Sequence, residues 1–240
     1  KLSTAIVLSL MMGVYGNASA YHFLYGKDGA SGTVVVKDFA GNNQSITSTE
    51  GAIDVKSTTF LETDSNSTAH VFTVDKGKWD RIFGGHRYGD LEGNIITITG
   101  DNTIAYTVMG AATGGYYDQS HTGTAKNNKV VIEGGTIDFV TGAAAEYGGS
   151  VIGNIVEVSG GTVGTVRGAR QLNGDTGYAD SNEVRITGGE VSDEVSGGYA
   201  EHTATNNKVT ISGDVSIGKF VYGGYSMGDK GSDQTATGNI

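Results

Sequence analysis

The chain has 240 residues, 40 of them glycine, and contains neither cysteine nor proline. The lack of cysteine excludes disulfide bonds and thiolate metal sites. Its 26 acidic residues outnumber the 16 basic ones, which gives a formal net charge of −10. Because no basic stretch is concentrated enough to hold the phosphates of DNA or RNA, we expect no nucleic-acid partner.

Residues 1–20 have the pattern of a secretory signal sequence. Lys1 is the remnant of a positive start, residues 2–14 are mainly apolar, and the cleavage site is expected at Ala18-Ser19-Ala20, with Ala18 and Ala20 as its determining residues. The apolar run is too short for a membrane helix. We therefore expect export to the cell surface, the outer membrane or the medium. Because the chain starts with Lys and stops just after Asn239, we also expect it to be a fragment of a longer product.

Residues 21–69 contain irregular strand-like runs, such as TVVVKDF from Thr33. We predict a lead-in, an N-terminal cap and first irregular coils, since the open core of a solenoid needs an atypical end. The segment HVFTVDKGKWDRIFGG from His70 is predicted to be a degenerate repeat with Trp79 in the core. Residues 70–240 then form one run of solenoid repeats without a linker.

Near-copies of one segment fill the rest of the chain, as in NKVVIEGGTIDFVTG from Asn128. The second and fourth residues after each leading Asn are aliphatic and β-branched, such as Val130 and Ile132. This alternation predicts a strand with one buried face. A Gly or Gly pair then turns the backbone with φ values that other residues avoid. A second short run ends in an aliphatic residue, and a further Gly corner follows it in most copies. The closing aliphatic residues are Val108, Val140, Val166, Val195 and Val221.

The length from the Asn to the closing Val is nearly constant, whereas the rest of each repeat varies, as in solenoid proteins. We therefore predict an all-β fold, a parallel β-helix (β-solenoid) that forms a single elongated domain. Equivalent residues of successive coils should stack. The leading asparagines would then form an amide ladder, or else serve only as turn residues: Asn94, Asn128, Asn154, Asn182, Asn207 and Asn239.

The same register makes a prediction about charges on the outer face. Glu157 should lie over Arg185, and Glu183 should lie over Lys208. Each such exposed pair would contribute roughly 0–1 kcal/mol to stability.

Three patterns suggest chemistry, and each lacks a required part. Gly224–Gly228 matches the G-x-S-x-G nucleophile elbow without a partnered His or a following helix. Gly213–Phe220 resembles a phosphate loop, but Phe220 stands where Ser or Thr would bind Mg²⁺. Asn173, Asp175, Asp180 and Asn182 offer oxygen ligands without the spacing of a calcium loop. We expect no catalytic residue, no cofactor and no metal site, and leave calcium in the variable loops open.

Aromatic residues recur beside glycines after the second run of the repeat. They either cover the edge of the solenoid or stack between coils as an adhesive stripe, since Tyr combines a large contact area with a polar tip. The candidates for this contact stripe are Tyr116, Tyr147, Tyr199 and Tyr225.

The signal sequence, the missing cysteines and the NxVxIxGG…VxGGY repeats together resemble the passenger domain of Gram-negative autotransporters (type V secretion). The resemblance implies a β-helix displayed at the cell surface and a C-terminal outer-membrane β-barrel in the full-length protein. Our first hypothesis is a non-catalytic protein for adhesion or contact with other cells or a host, whose receptor the sequence does not identify. The alternatives are a polysaccharide-acting enzyme, which needs clustered Asp, Lys or Arg, and a structural stalk for another module.

Overall fold

A computed structural model describes residues 24–26, 32–37, 43–48, 71–75, 77–87, 89–113, 123–173, 176–227 and 235–240. The expected signal sequence with Ala18 and Ala20, and the position of His70, lie outside these residues. Every regular element within them is a β-strand.

The described residues form 25 strands. The first are β1 (Leu24–Gly26), β2 (Gly32–Lys37), β3 (Asn43–Ser48), β4 (Val71–Val74), β5 (Gly77–Phe83), β6 (His86–Arg87), β7 (Leu91–Glu92), β8 (Ile95–Ile98), β9 (Thr103–Met109), β10 (Ala112–Thr113), β11 (Thr124–Lys126), β12 (Lys129–Ile132) and β13 (Thr136–Glu146). They continue with β14 (Ser150–Ile152), β15 (Ile155–Val158), β16 (Thr162–Leu172), β17 (Tyr178–Asp180), β18 (Glu183–Ile186), β19 (Glu190–Val191), β20 (Glu194–Ala200), β21 (Thr203–Thr205), β22 (Lys208–Ile211), β23 (Ser216–Ile217), β24 (Phe220–Ser226) and β25 (Thr235–Thr237).

Each turn of the solenoid adds strands to three sheets that extend along its length. Sheet 1 contains the strand that follows each leading Asn, in the order β22-β18-β15-β12-β8-β4-β2-β3. Sheet 2 holds the long strands, among them β5, β9, β13, β16, β20 and β24, and sheet 3 has the order β25-β21-β17-β14-β11-β7. From β4 onward, neighbouring strands pair in parallel, as in β12 with β15. The predicted parallel β-solenoid is confirmed, with about 5 turns.

The register of the coils follows the sequence repeat. Val130 pairs with Ile96 on one side and with Val156 on the other. The degenerate repeat also aligns as predicted, because Ile82 pairs with Val108. The N-terminal strands differ from the coils: β1 pairs antiparallel with β5, and β2 pairs antiparallel with both β3 and β4. The strand β2 thereby covers the edge of sheet 1 that β4 would leave open.

Two apolar cores run along the solenoid. The wide core, between sheets 1 and 2, holds β-branched residues and the fully buried Trp79. The narrow core, between sheets 2 and 3, is mostly alanine, such as Ala125 and Ala169. Burying each Val or Ile contributes roughly 1.5–3 kcal/mol, so the wide core is the main source of stability. In the last coil the predicted inward residue Ile211 is 39% exposed, since no described coil covers it.

The first glycine corner forms as predicted. Gly135, Gly161 and Gly189 have φ values of 92°, 80° and 85°, which L-residues with a side chain avoid. The residue before each leading Asn is also left-handed. At these positions stand Gly93, Asn127, Gly153, Ser181, Asn206 and Gly238.

The prediction of a second glycine corner is wrong. Gly142, Gly168 and Gly197 lie within the continuous strands β13, β16 and β20, and none of them has a positive φ. These glycines permit a close approach instead of a turn: a Cβ on Gly168 would lie 2.3 Å from the Gly197 carbonyl oxygen and 3.3 Å from Asn182 Cβ. The glycine column consists of Gly84, Gly110, Gly142, Gly168, Gly197 and Gly223. This column narrows the cross-section of the solenoid between the wide core and the narrow core.

Candidate functional site

The six predicted ladder asparagines lie in one inward-facing column opposite the glycine column. The side-chain amide of each of the first five donates to Oδ1 of the next, over 2.7–3.1 Å. The same Oδ1 also accepts from the backbone N–H of the preceding Asn, over 2.9–3.0 Å. The second amide hydrogen goes to a sheet 3 carbonyl, as from Asn154 to Ala125 at 2.9 Å.

This asparagine column is a structural element. Asn128, Asn154, Asn182 and Asn207 are fully buried, and their side-chain amides find partners along the column and in sheet 3. A buried amide with its partners satisfied costs little, whereas an unsatisfied one costs about 1–3 kcal/mol. The column therefore fixes the register between coils and offers no free polar group to a ligand.

On the opposite side of the glycine column, the outer face of sheet 2 forms a groove. We define the groove by the outward side chains just before and just after the glycines. The Arg167 guanidinium carbon lies 4.4 Å from the centre of the Tyr199 ring, although the two stand on different sides of the column. Likewise, the ring centres of Tyr222 and Tyr225 are 5.3 Å apart. Side chains on the two banks thus converge over the glycine column.

The groove changes character along its length. Toward the N-terminal coils it is closed by apolar contacts among Phe83, Met109 and Ala144, each no more than 8% exposed. Farther along, the same positions carry Arg167, Arg170 and aromatic rings. Among the side chains that the structure describes, the charged groups and tyrosines of the groove belong to this second part.

The two arginines lie among three carboxylates. Arg167 Nη2 lies 3.5 Å from Glu194 Oε1, an ion-pair distance that is long for a hydrogen bond. Burial lowers the pKa of Arg170, and the positive charge of Arg167 adds to this effect while Glu146 opposes it. Burial raises the pKa of Glu146; Arg170 opposes this and Glu201 reinforces it. Arg170 and Glu146 are therefore poorly solvated.

Several buried polar atoms in the groove lack a hydrogen-bond partner among the described residues. They are Nε of Arg167, Nε of Arg170, Oε1 of Glu194 and Oγ of Ser196. Ser196 is fully buried and stands between Arg167 and Tyr222 in the stack of strands. Such atoms are rare in native proteins. All four are closed off from solvent in this conformation, so a ligand or water reaches them only when the overlying side chains move.

The aromatic residues form a compact cluster at this end of the groove. Tyr199 and Tyr225 stack with ring centres 5.4 Å apart, and Tyr222 packs against Tyr225. The Tyr199 hydroxyl donates to Met227 Sδ over 3.1 Å. Burial raises the pKa of Tyr199, while the charge of Arg167 opposes the shift.

The predicted tyrosine stripe is thus only partly assembled. The structure brings Tyr199 and Tyr225 together and adds Tyr222. Tyr147 lies instead beyond the end of β13, in a turn with a φ of 54°, away from the register position that Tyr199 shares with Ala144. Tyr116 lies outside the described residues.

The other sequence patterns are placed in structural roles. Ser226, in the G-x-S-x-G match, lies in β24 and donates to the His202 carbonyl oxygen over 2.7 Å. Asp180 accepts from Ser181, Thr205 and Asn206, while Asn182 belongs to the asparagine column. Asp175 lies outside the described residues.

The remaining patterns add no site. Phe220, in the phosphate-loop match, is the first residue of strand β24. Within the described ranges, no three His, Cys, Asp or Glu side chains are grouped as metal ligands.

The charged face of sheet 1 contrasts with the groove. Arg185 lies 2.9 Å from Glu157, and Lys208 lies 3.4 Å from Glu183, so both predicted pairs are confirmed. Lys129 adds a contact of 2.7 Å to Glu157. These pairs are substantially exposed and each contributes only about 0–1 kcal/mol.

The sequence contained one overlooked indication of the groove. In the segment VRGAR, Arg167 directly follows the closing Val166, and Arg170 stands three residues later. In a regular strand, residues three apart lie on opposite faces, so the alternation gives no sign that these two side chains share one. Aligning the repeats on the closing Val would have shown that both positions form stacked columns.

Comparison with known proteins adds nothing to these observations: no family model, no curated protein and no solved structure matches the chain. Among the residues that the structure describes, there is no helical segment with the length and hydropathy that crossing a bilayer would require.

Proposed function

We propose that this chain is a non-catalytic surface protein that binds its target through the groove on sheet 2, as the passenger of an autotransporter in contact with other cells or a host. The observation that carries the proposal is the cluster in which Arg167 lies over Tyr199, which in turn stacks on Tyr225. Tyr and Arg are the residues most enriched among those that dominate binding energy.

The scaffold also favours binding. The central strand β16 pairs on one side with β13 and on the other with β20. Side chains held on such a strand are already ordered, so binding them costs less conformational entropy than binding to a loop. Surface display, the export route and a receptor on the target cell are parts of the same proposal.

The proposal is tested by cell binding of the purified chain. We expect saturable binding of the fluorescently labelled protein to epithelial cells or to bacterial cells, and we expect Tyr199→Ala to weaken it about tenfold or more, as for a dominant interface residue. The matched control is Tyr178→Ala, which removes a 39% exposed tyrosine of sheet 3. Absent binding, or equal losses in both variants at equal thermal stability, would refute the proposal and favour a structural stalk.

A polysaccharide-acting enzyme is the second candidate, and one observation favours it. Glu146, whose pKa is raised by burial, lies in the field of Arg170 and Glu201. A carboxylic acid with a raised pKa in a groove is a candidate general acid. Release of reducing ends from a polysaccharide, abolished in Glu146→Gln, would replace the non-catalytic proposal with this one.

A further inference from the structure

The groove atoms without a hydrogen-bond partner among the described residues include donors and an acceptor. Nε of Arg167 and Nε of Arg170 can only donate hydrogen bonds. Oε1 of an ionised Glu194 carboxylate can only accept them. The Ser196 hydroxyl can do both. The Tyr199 hydroxyl donates to a thioether, which is a weak acceptor. A ligand that completes this set must therefore both accept and donate.

The charge of the groove disfavours a ligand made only of anionic groups. Arg167 and Arg170 are accompanied by Glu146, Glu194 and Glu201. Their three negative charges outweigh the two positive ones, and the whole chain carries −10. A phosphate, sulfate or carboxylate group would meet these carboxylates in a poorly solvated place, where repulsion between like charges is strong.

The geometry disfavours an extended peptide. Peptides that bind to sheets usually pair with a free edge, but β16 has neighbours on both sides. Side chains of successive coils repeat every ~4.8 Å, whereas an extended peptide presents a side chain to one face only every ~6.6 Å. A pyranose unit of an extended glycan is close to one coil spacing in length, so successive sugar units can meet equivalent positions.

We infer that the groove between Arg167, Arg170, Ser196 and Tyr199 binds a neutral, hydroxyl-rich glycan chain, an inference that rests on the proposed binding function. Sugar hydroxyls accept from the two arginines and donate to Glu194. The Tyr199 hydroxyl completes the contacts from the bank of the groove, and Ser196 adds one from the floor once the ligand displaces the side chains that cover it. The glycan runs along the solenoid axis, across successive coils.

The inference is tested with hexasaccharides of defined charge. Titration calorimetry with the full chain would use neutral gluco-, manno- and galacto-hexasaccharides, a hexagalacturonate and a hexaglutamate peptide. We expect at least one neutral hexasaccharide to bind, and Arg170→Gln to raise its Kd about tenfold, as for the loss of a hydrogen bond to a charged group. Ser196→Ala should weaken the same binding, whereas Arg185→Gln on sheet 1 should leave it unchanged.

Each other outcome has one meaning, provided that the variants keep the far-UV spectrum and melting temperature of the parent. Tighter binding of the galacturonate or the peptide, lost in Arg170→Gln, overturns the neutral-glycan inference and leaves a binding groove in place. Cell binding that depends on Tyr199 without binding of any neutral hexasaccharide overturns the inference alone. If neither cells nor hexasaccharides bind, both the inference and the proposed function fail. Equal losses in Arg170→Gln and Arg185→Gln also overturn the inference.

Discussion

The two sides of the glycine column differ in whether their buried polar groups have hydrogen-bond partners. On the inner side, the amide of Asn154 reaches Asn182 and Ala125, each over 2.9 Å. On the outer side, Arg170 Nε and Ser196 Oγ are buried without a hydrogen-bond partner among the described residues. The asparagines lie between the strands of sheets 3 and 1, and the groove lies on sheet 2. Both repeat once per coil, so the difference lies in the residues that each column carries.

This contrast separates stability from function. Polar groups that hold a fold together are satisfied within it, since an unsatisfied buried group lowers stability. Departures from this rule concentrate at functional sites, where a ligand supplies the missing partner. The inner column thus serves the solenoid, whereas the groove has the unsatisfied groups on which the proposed binding function rests.

Removing one ladder amide should have the largest effect on the inner side. In Asn154→Ala, the backbone N–H and the amide of Asn128 lose their acceptor, and Ala125 and Asn182 lose their donor. Several buried groups become unsatisfied, so we expect the free energy of unfolding to fall by roughly 3–5 kcal/mol in urea denaturation.

The control for this change is Asn127→Gly. Asn127 is the exposed neighbour of a ladder residue and has a left-handed φ of 56°, which Gly adopts freely. Its replacement should change the free energy of unfolding by less than about 0.5 kcal/mol. If Asn154→Ala costs no more than Asn127→Gly, the column does not stabilise the fold.

Adding one methyl group to the glycine column should affect both sides at once. In Gly168→Ala, the new Cβ would lie 2.3 Å from the Gly197 carbonyl oxygen, so the strands must shift. Such overpacking costs about 1–3 kcal/mol. We expect a lower melting temperature together with weaker ligand binding, because Arg167 and Arg170 flank the substituted residue. Thr162→Ala, an exposed change on the same strand, should alter neither measurement. If Gly168→Ala lowers stability without weakening binding, ligand binding in the groove does not depend on the glycine column.

Two glutamates should respond to pH in opposite directions. Glu146 has a raised pKa in the folded state, so its contribution to stability falls as the pH rises above about 4.3, the ordinary value for Glu. Burial also acts to raise the pKa of Glu157, but Lys129 and Arg185 outweigh it, and the net shift is downward. The contribution of Glu157 is therefore present above its ordinary pKa and is lost as the pH falls.

At pH 7 we accordingly expect Glu146→Gln to be more stable than the parent chain and Glu157→Gln to be less stable, each by about 1 kcal/mol or less. Both differences should shrink toward pH 3, as followed by urea denaturation at several pH values. A loss of stability at pH 7 in Glu146→Gln would show that the carboxylates of the groove are satisfied like those of sheet 1.

Relief of one strained residue should have the smallest effect. Ser181 precedes Asn182 and has a φ of 56°, where the other coils have Gly or Asn. A left-handed residue with a side chain costs about 1–2 kcal/mol, but Ser181→Gly also loses a hydrogen bond to Asp180 and gains freedom in the unfolded chain. We expect a net gain of a few tenths of a kcal/mol in the free energy of unfolding, and a drop in melting temperature would contradict it.

The sequence by itself determined the solenoid. Alternating aliphatic residues such as Val130 and Ile132 define a strand with one buried face, and the recurring Asn sets the register of the coils. Copies with the same inward residues can all bury them only by stacking, which places Glu157 over Arg185 as predicted.

Only the tertiary structure decided the groove. In a regular strand, residues three apart lie on opposite faces, so the alternation would place Arg167 and Arg170 on different sides of sheet 2. In β16, Gly168 faces the asparagine column and Ala169 faces the narrow core, which gives two inward residues in succession. Both arginines therefore point outward into one groove. The reason is the close packing of glycine against asparagine, a contact between coils that no local pattern in the sequence encodes.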